Sequence, residues 1–316
     1  MPTSPSPLSP SSHVRSASRN LGRRLRQLTG ALVAATTLLL VAACGSDSGS
    51  ASGGDNQVKI GVADAAEPYW QTFKQKAAEE DIKVDLVNFS DYNQPNPALA
   101  QKQLDLNEFQ HLQYLAEYNV QAKQDLTPIG ATAVYPLPLY STKYTGIDQI
   151  PAGGKVAIPN DPTNEARALL VLQEAKLITL KDGGNSLSTP ADVESGAKIK
   201  VVPVDASQTA ANLKSVDAAI VNNNYATAAK LGQDKIIYSD DVNADEFKPY
   251  INVFVARAED KDNPTYQKLA KLYHDPEVVA AVKKDLGAGG TFKTNSASDL
   301  QQTLNGIEDD IRANKS

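Results

Sequence analysis

The 316-residue chain has one cysteine, Cys44, one tryptophan and three histidines. A single cysteine excludes a disulfide framework and any metal cluster built from several thiolates. Beyond residue 43 only His111 and His274 remain; neither has a partner at zinc-ligand spacing, and no HExxH occurs. His274, in YHDPE, reads as a structural imidazole at a helix end, where a protonated ring meets the negative end of the dipole. There is no GxSxG elbow and no GxGxxG turn. The nearest approach to a P-loop is AGGKV (152–156), with Gln149 where the first glycine belongs and Val156 where Ser/Thr belongs. The acidic pair Asp240-Asp241 reads as a solvated loop and not as a metal site. No period of 20–50 residues recurs, which excludes a solenoid. Nothing in this inventory nominates a nucleophile and base, a metal or a cofactor, so binding is the chemistry to look for.

Basic residues are unevenly placed. Residues 1–30 carry five arginines (Arg15, Arg19, Arg23, Arg24 and Arg26) and no acid. ALVAATTLLLVAA (31–43) follows, 13 apolar or small residues. That is short of the roughly 20 needed to span a bilayer, but it suits a signal-peptide core. The small residues of VAAC then lead into Cys44, a run that resembles the lipobox of bacterial lipoproteins, where the cysteine is acylated and becomes the first mature residue. Arg23-Arg24 is followed by LRQ, a poor match to a twin-arginine export signal. Residues 1–43 are therefore expected to be a signal peptide, and residues 44–56, rich in Gly, Ser and Asp, a lipidated flexible tether. Acyl chains hold such a tether by burying methylenes at ~0.8 kcal/mol each. The mature chain keeps 26 basic against 37 acidic residues, a difference of −11, which argues against nucleic acid or anionic lipid as partners.

From residue 57 onward, strand-like and helical runs alternate. VKIGVA (58–63), IKVDLVNF (82–89), KVAI (155–158), IKVVPV (199–204), AAIVNN (218–223) and INVFVAR (251–257) read as strands. FKQKAAEE (73–80), Pro97 to Gln103, HLQYLAEYNVQAK (111–123), residues 162–175 and PTYQKLAKLYHDPEVVAAVKKDL, broken near Asp275-Pro276, read as helices. Such alternation means α/β layers with mainly parallel sheets. AVYPLPLYS (133–141) and INVFVAR flank a middle block and would serve as two crossings between lobes. The expected lobes are 57–141 with 249–316, and 142–248. Ligands in such sheets sit beyond the carboxyl ends of strands.

The stretch NDPTNEAR (160–167) lies at such a place. Asp161 is a good N-cap, Pro162 fits the first helical position, and Asn164 and Arg167 share one face of the first turn. A strand leading into a helix N-terminus can hold an anion; equally, Arg167 could be a surface residue paired with Glu174 or Asp161. In FQHLQYL (109–115), Phe109, His111 and Tyr114 enter a helix, although Phe109, Leu112 and Leu115 could equally form its buried stripe. Tyr92 could merely cover the turn DYNQPN (91–96), and Asn222 to Asn224 could be ordinary turn residues.

Taken together, DYNQPN, FQHLQYL, VYPLPLYS, VAIPNDPTNEAR, IVNNNYA and PYINVFVAR stand in an order and at spacings that resemble the NlpA/MetQ lipoprotein family, the substrate-binding components of methionine ABC importers. The resemblance covers roughly residues 57–290. It implies a two-lobed, type II periplasmic-binding-protein α/β fold, with no catalysis and no cofactor. It also implies a lipid-anchored protein on the outer face of the cytoplasmic membrane that delivers methionine to a permease and its ATPase. Carried over, Arg167 matches the arginine that grips the ligand's α-carboxylate, with Asn164 beside it. Asn222 and Asn252 match asparagines around the ligand's polar end, and Tyr92, Phe109, His111 and Tyr114 match the side-chain pocket. The chain departs from the family pattern at Gln113, where proline is usual, at NNN before Tyr225, at ADAAEPYW, which brings in Tyr69 and Trp70, and in a C-terminal helical extension. Those departures bear on side-chain preference, leaving D-methionine, a methionyl dipeptide, another small amino acid, or a sensor or adhesin role as alternatives.

Overall fold

The computed structural model describes residues 57–242, 245–286 and 289–314. The expected signal peptide (1–43), Cys44 and the tether (44–56) lie outside the described residues.

The chain begins with β1 (Gln57–Val62), α1 (Tyr69–Glu79), β2 (Lys83–Asn88), α2 (Pro95–Ala100), β3 (Leu106–His111), α3 (Leu112–Ala122) and β4 (Thr127–Ala131). After β5 (Ala133–Val134) come β6 (Leu139–Tyr140), β7 (Gly154–Pro159), α4 (Pro162–Glu174), β8 (Ile199–Val204), α5 (Thr209–Asn212), β9 (Ala218–Ile220), α6 (Asn223–Ala228) and β10 (Ile236–Tyr238). The last part holds β11 (Asn252–Ala256), α7 (Pro264–Leu272), α8 (Pro276–Asp285), β12 (Thr291–Phe292) and α9 (Ala297–Asn314). The helix expected from Pro97 starts instead at Pro95, because both prolines sit in the first turn, where no backbone N–H is required.

Two five-stranded sheets result, ordered β2-β1-β3-β11-β4 and β10-β6-β9-β7-β8. Pairs β1–β2, β1–β3, β7–β8 and β7–β9 are parallel. The two strands that carry the chain from one sheet to the other and back, β6 and β11, are antiparallel to their neighbours. The run AVYPLPLYS is thus split: Ala133-Val134 pairs with β12, Leu139-Tyr140 belongs to the second sheet, and residues 135–138 run between them.

Both sheets are covered on both faces, as parallel sheets require. Along β11, Phe254 and Ala256 pack with Trp70, Phe73 and Tyr273, while Val253 and Val255 pack with Leu112, Leu115 and α9. The second sheet buries Val156, Ile158 and Ile220 against α4, and Ala157, Ala219 and Val221 against Leu213 and Val216. The C-terminal extension is a true element of the first half. Leu300, Leu304, Ile307 and Ile311 recur at helical spacing and form one buried stripe on α9. Each such side chain contributes about 1.5–3 kcal/mol of burial.

Candidate functional site

All eight residues expected at the site line one cavity of about 90 Å³. They reach it from strand ends in both halves: Phe109 and His111 on β3, Tyr114 in the first turn of α3, Asn252 opening β11, and Tyr92 after β2 from the first half. Asn164 in the first turn of α4, Arg167 in its second, and Asn222 just after β9, come from the second. Leu112 and Leu115 go to the core, as a helix stripe should, whereas Phe109 stays half-buried on the cavity wall.

The first turn of α4 is built as its sequence requires. Asp161 is extended (φ −71°, ψ 139°) and its Oδ1 accepts from the Asn164 backbone at 3.0 Å and from Asn164 Nδ2 at 2.8 Å. That fixes the asparagine with its carbonyl outward. Asn164 Oδ1 then accepts from Asn222 Nδ2 at 3.0 Å and faces His111 Nε2 at 3.5 Å. His111 Nδ1 accepts from the Tyr114 backbone at 3.1 Å, so the neutral ring carries its proton on Nε2 and donates it toward Asn164. Burial, aided by the Arg167 charge, pulls the His111 pKa down to about 3. Asn222 is left with Oδ1 buried and unpartnered. An orphaned buried acceptor at a cavity calls for a donor from a ligand.

Arg167 pairs with neither Glu174 nor Asp161. Its Nη2 lies 2.7 Å from Asp240 Oδ2 and its Nε 3.2 Å from the same oxygen, with both side chains buried at 7% and 3% exposure. Nη2 also donates to the Tyr135 carbonyl at 2.9 Å, and the guanidinium stacks 4.4 Å from the Tyr250 ring centroid. Asp240 is therefore not a solvated loop residue. It is a buried counter-charge, with Oδ1 accepting from the Leu137 backbone at 2.7 Å. Two of the three guanidinium nitrogens are committed inside the protein, and Nη1 has no partner among the described residues.

The aromatic wall is tied by its hydroxyls. Rings of Tyr92, Phe109 and Tyr114 stand 5.7–6.2 Å apart, and Tyr225 joins at 5.0 Å from Tyr92. Tyr114 donates to the Tyr92 carbonyl, Tyr92 to Asn224, and Tyr225 to the Ser90 carbonyl. The last two bonds join the halves across the cavity mouth.

Two acids escaped the sequence reading. Asp64, after β1, accepts from Tyr69 Oη and Trp70 Nε1, each at 2.9 Å. Tyr69 and Trp70 are thus the buried donors of that carboxyl. Glu108 on β3 accepts from Thr132 Oγ1 at 3.0 Å, and both acids line the cavity. The segment carrying Glu108, LNEFQH, was not among the strands read from the sequence, so nothing local marked this acid as a cavity residue. Burial, with the Asp64 charge second, lifts Glu108 to about 8. Folded Glu108 thus keeps a proton that the unfolded chain loses above about pH 4.5, so stability falls as pH rises toward 8. The His111 contribution runs the other way and is lost as pH falls from about 6.5 toward 3. Between pH 6.5 and 8 the Glu108 slope stands apart from that of His111, at about 2 kcal/mol over the interval. Urea melts at both pH values should show that loss, and Glu108→Gln should remove it; equal slopes in the two proteins would refute the assignment.

Against this geometry, a family model described as NlpA lipoprotein matches residues 58–294. The chain belongs to the NlpA lipoprotein family. Among NlpA relatives, it is 36% identical over 272 residues to a probable D-methionine-binding lipoprotein of Haemophilus influenzae, covering 84% of this chain and 98% of that one. The D-methionine-binding lipoprotein of Escherichia coli K12 is also 36% identical, over 82% of this chain and 94% of its own. A nutrient binding protein from Burkholderia cenocepacia, solved bound to methionine, is similar at TM-score 0.70 and 38% identity, over 75% of this chain and 99% of that one. These neighbours bear out the expected two-lobed periplasmic-binding-protein fold for this NlpA protein.

Proposed function

We propose that this protein is a lipid-anchored carrier that captures methionine outside the cytoplasmic membrane and delivers it to an ABC permease and its ATPase. One observation carries the reading. In a chain of this family, a guanidinium with a free Nη1 and a buried orphan acceptor, Asn222 Oδ1, meet at one cavity beside an aromatic wall. A buried zwitterion must have both charges matched. Arg167 Nη1 takes the α-carboxylate, the Asn222 carbonyl with Asn252 beside it takes the ammonium, and Tyr92, Phe109 and Tyr114 with His111 enclose the thioether. The moving bodies follow the expected division into 57–141 with 249–316, and 142–248, except that the first boundary moves back to residues 135–138, because Leu139-Tyr140 pairs within the second sheet. Cys44 carries the acyl chains, and residues 1–43 are the cleaved signal peptide.

A thioether packing on aromatic edges is worth ~0.3–1.5 kcal/mol beyond the burial of its methylene and methyl. Methionine should therefore bind about thirtyfold tighter than alanine by isothermal calorimetry, and equal affinities would remove the case for a methionine pocket. The same titration with D-methionine sets the stereochemical preference, and the names of the curated relatives favour measurable binding of that isomer. A sensor or adhesin would not need the clamp, which is intact here.

A further inference from the structure

The cavity holds two carboxyl groups that a methionine carrier does not need. Asp64 and Glu108 both line it; among the described residues neither is paired with a basic side chain, and Arg167, the one Lys or Arg on its wall, is already matched by Asp240. Glu108 is 7% exposed; Oε1 takes the Thr132 hydroxyl proton, and Oε2 has no protein donor among the described residues. The neighbouring groups on the other elements are the Tyr69, Tyr135 and Tyr273 phenols, and none of them donates to Glu108. Once ionised, a carboxyl buried to this extent has an unmatched acceptor oxygen at the ligand cavity, which a cationic donor on the ligand completes.

We infer that Glu108, with Asp64, forms a second subsite that receives an ammonium at the far end of the ligand's side chain, so that the cavity accepts basic α-amino acids. This rests on the carrier reading above, in which Arg167 and the asparagines hold the α-carboxylate and α-ammonium. The empty carboxyl keeps its proton at neutral pH, since burial and Asp64 hold Glu108 near 8. A docking ammonium displaces that proton to solvent and leaves a charge-assisted pair in its place.

L-norleucine and L-lysine differ by one terminal ammonium, and norleucine also mimics the shape of methionine. Calorimetry on the intact protein at pH 7 should show lysine bound at least tenfold tighter than norleucine. Repeating the titration in buffers of different ionisation enthalpy should show proton release with lysine and none with norleucine. Glu108→Gln should lower the lysine-to-norleucine affinity ratio at least tenfold and abolish the proton release. A wild-type ratio below ten, or a ratio that Glu108→Gln does not change, overturns the subsite. Binding of methionine and norleucine without a preference for lysine sinks the subsite alone. Failure of all three ligands sinks the carrier reading with it.

Discussion

Arg167→Ala weakens methionine binding by about 2–5 kcal/mol, roughly thirtyfold to several thousandfold, because it removes the one cation that meets the ligand carboxylate in a buried site. The same truncation strands Asp240, whose carboxylate is 3% exposed, so a fall in melting temperature accompanies it. Arg167→Lys separates the two effects. A lysine ammonium can sit against Asp240, but it is a compact point charge and cannot also extend a second nitrogen to a ligand as the guanidinium fork does. The lysine variant is therefore expected to keep most of the stability and lose most of the affinity. Calorimetric affinity within threefold of wild type for either variant would exclude Arg167 as the anchor.

Asp240→Ala carries the second large effect. It leaves a guanidinium at 7% exposure without its counter-charge and frees the Leu137 backbone N–H as well. Breaking a buried pair in this way costs about 3–5 kcal/mol. For a body of this size, that lowers the melting temperature by roughly 10 °C, read by circular dichroism. The double variant Arg167→Met/Asp240→Leu tests whether the pair serves stability or recognition. Apolar replacement of a whole buried ion pair is often neutral or stabilising, because desolvation of both charges is removed together. The double variant should recover most of the lost stability and bind no methionine. If it binds methionine, the charge pair has no part in recognition; if it is as unstable as Asp240→Ala, packing around the pair and not the unmatched charge explains the loss.

The helix start at Asp161-Pro162, with Asn164 and Arg167 one turn in, was legible because capping and i,i+3 spacing are local: the residues that determine the geometry lie within one turn of each other. The same holds for the apolar strands that alternate with helices to make two parallel-cored sheets, whereas His111, read as the first residue of a helix, ends β3 and caps α3. The family motifs then placed eight residues at one site, and the structure brings all eight to one cavity wall. The partner of Arg167 was not legible. Asp240 lies 73 residues away, and in sequence it is one of two adjacent acids in a polar stretch. Only the order β10-β6-β9-β7-β8, which sets the end of β10 near the first turn of α4, turns it from a solvated acid into a buried counter-charge. Glu108 and Asp64 were hidden for a related reason: the charge state of an acid depends on how much water reaches it and which charges lie near it. Those quantities are decided by how two separate sheets close over a cavity, and no local pattern of residues encodes them.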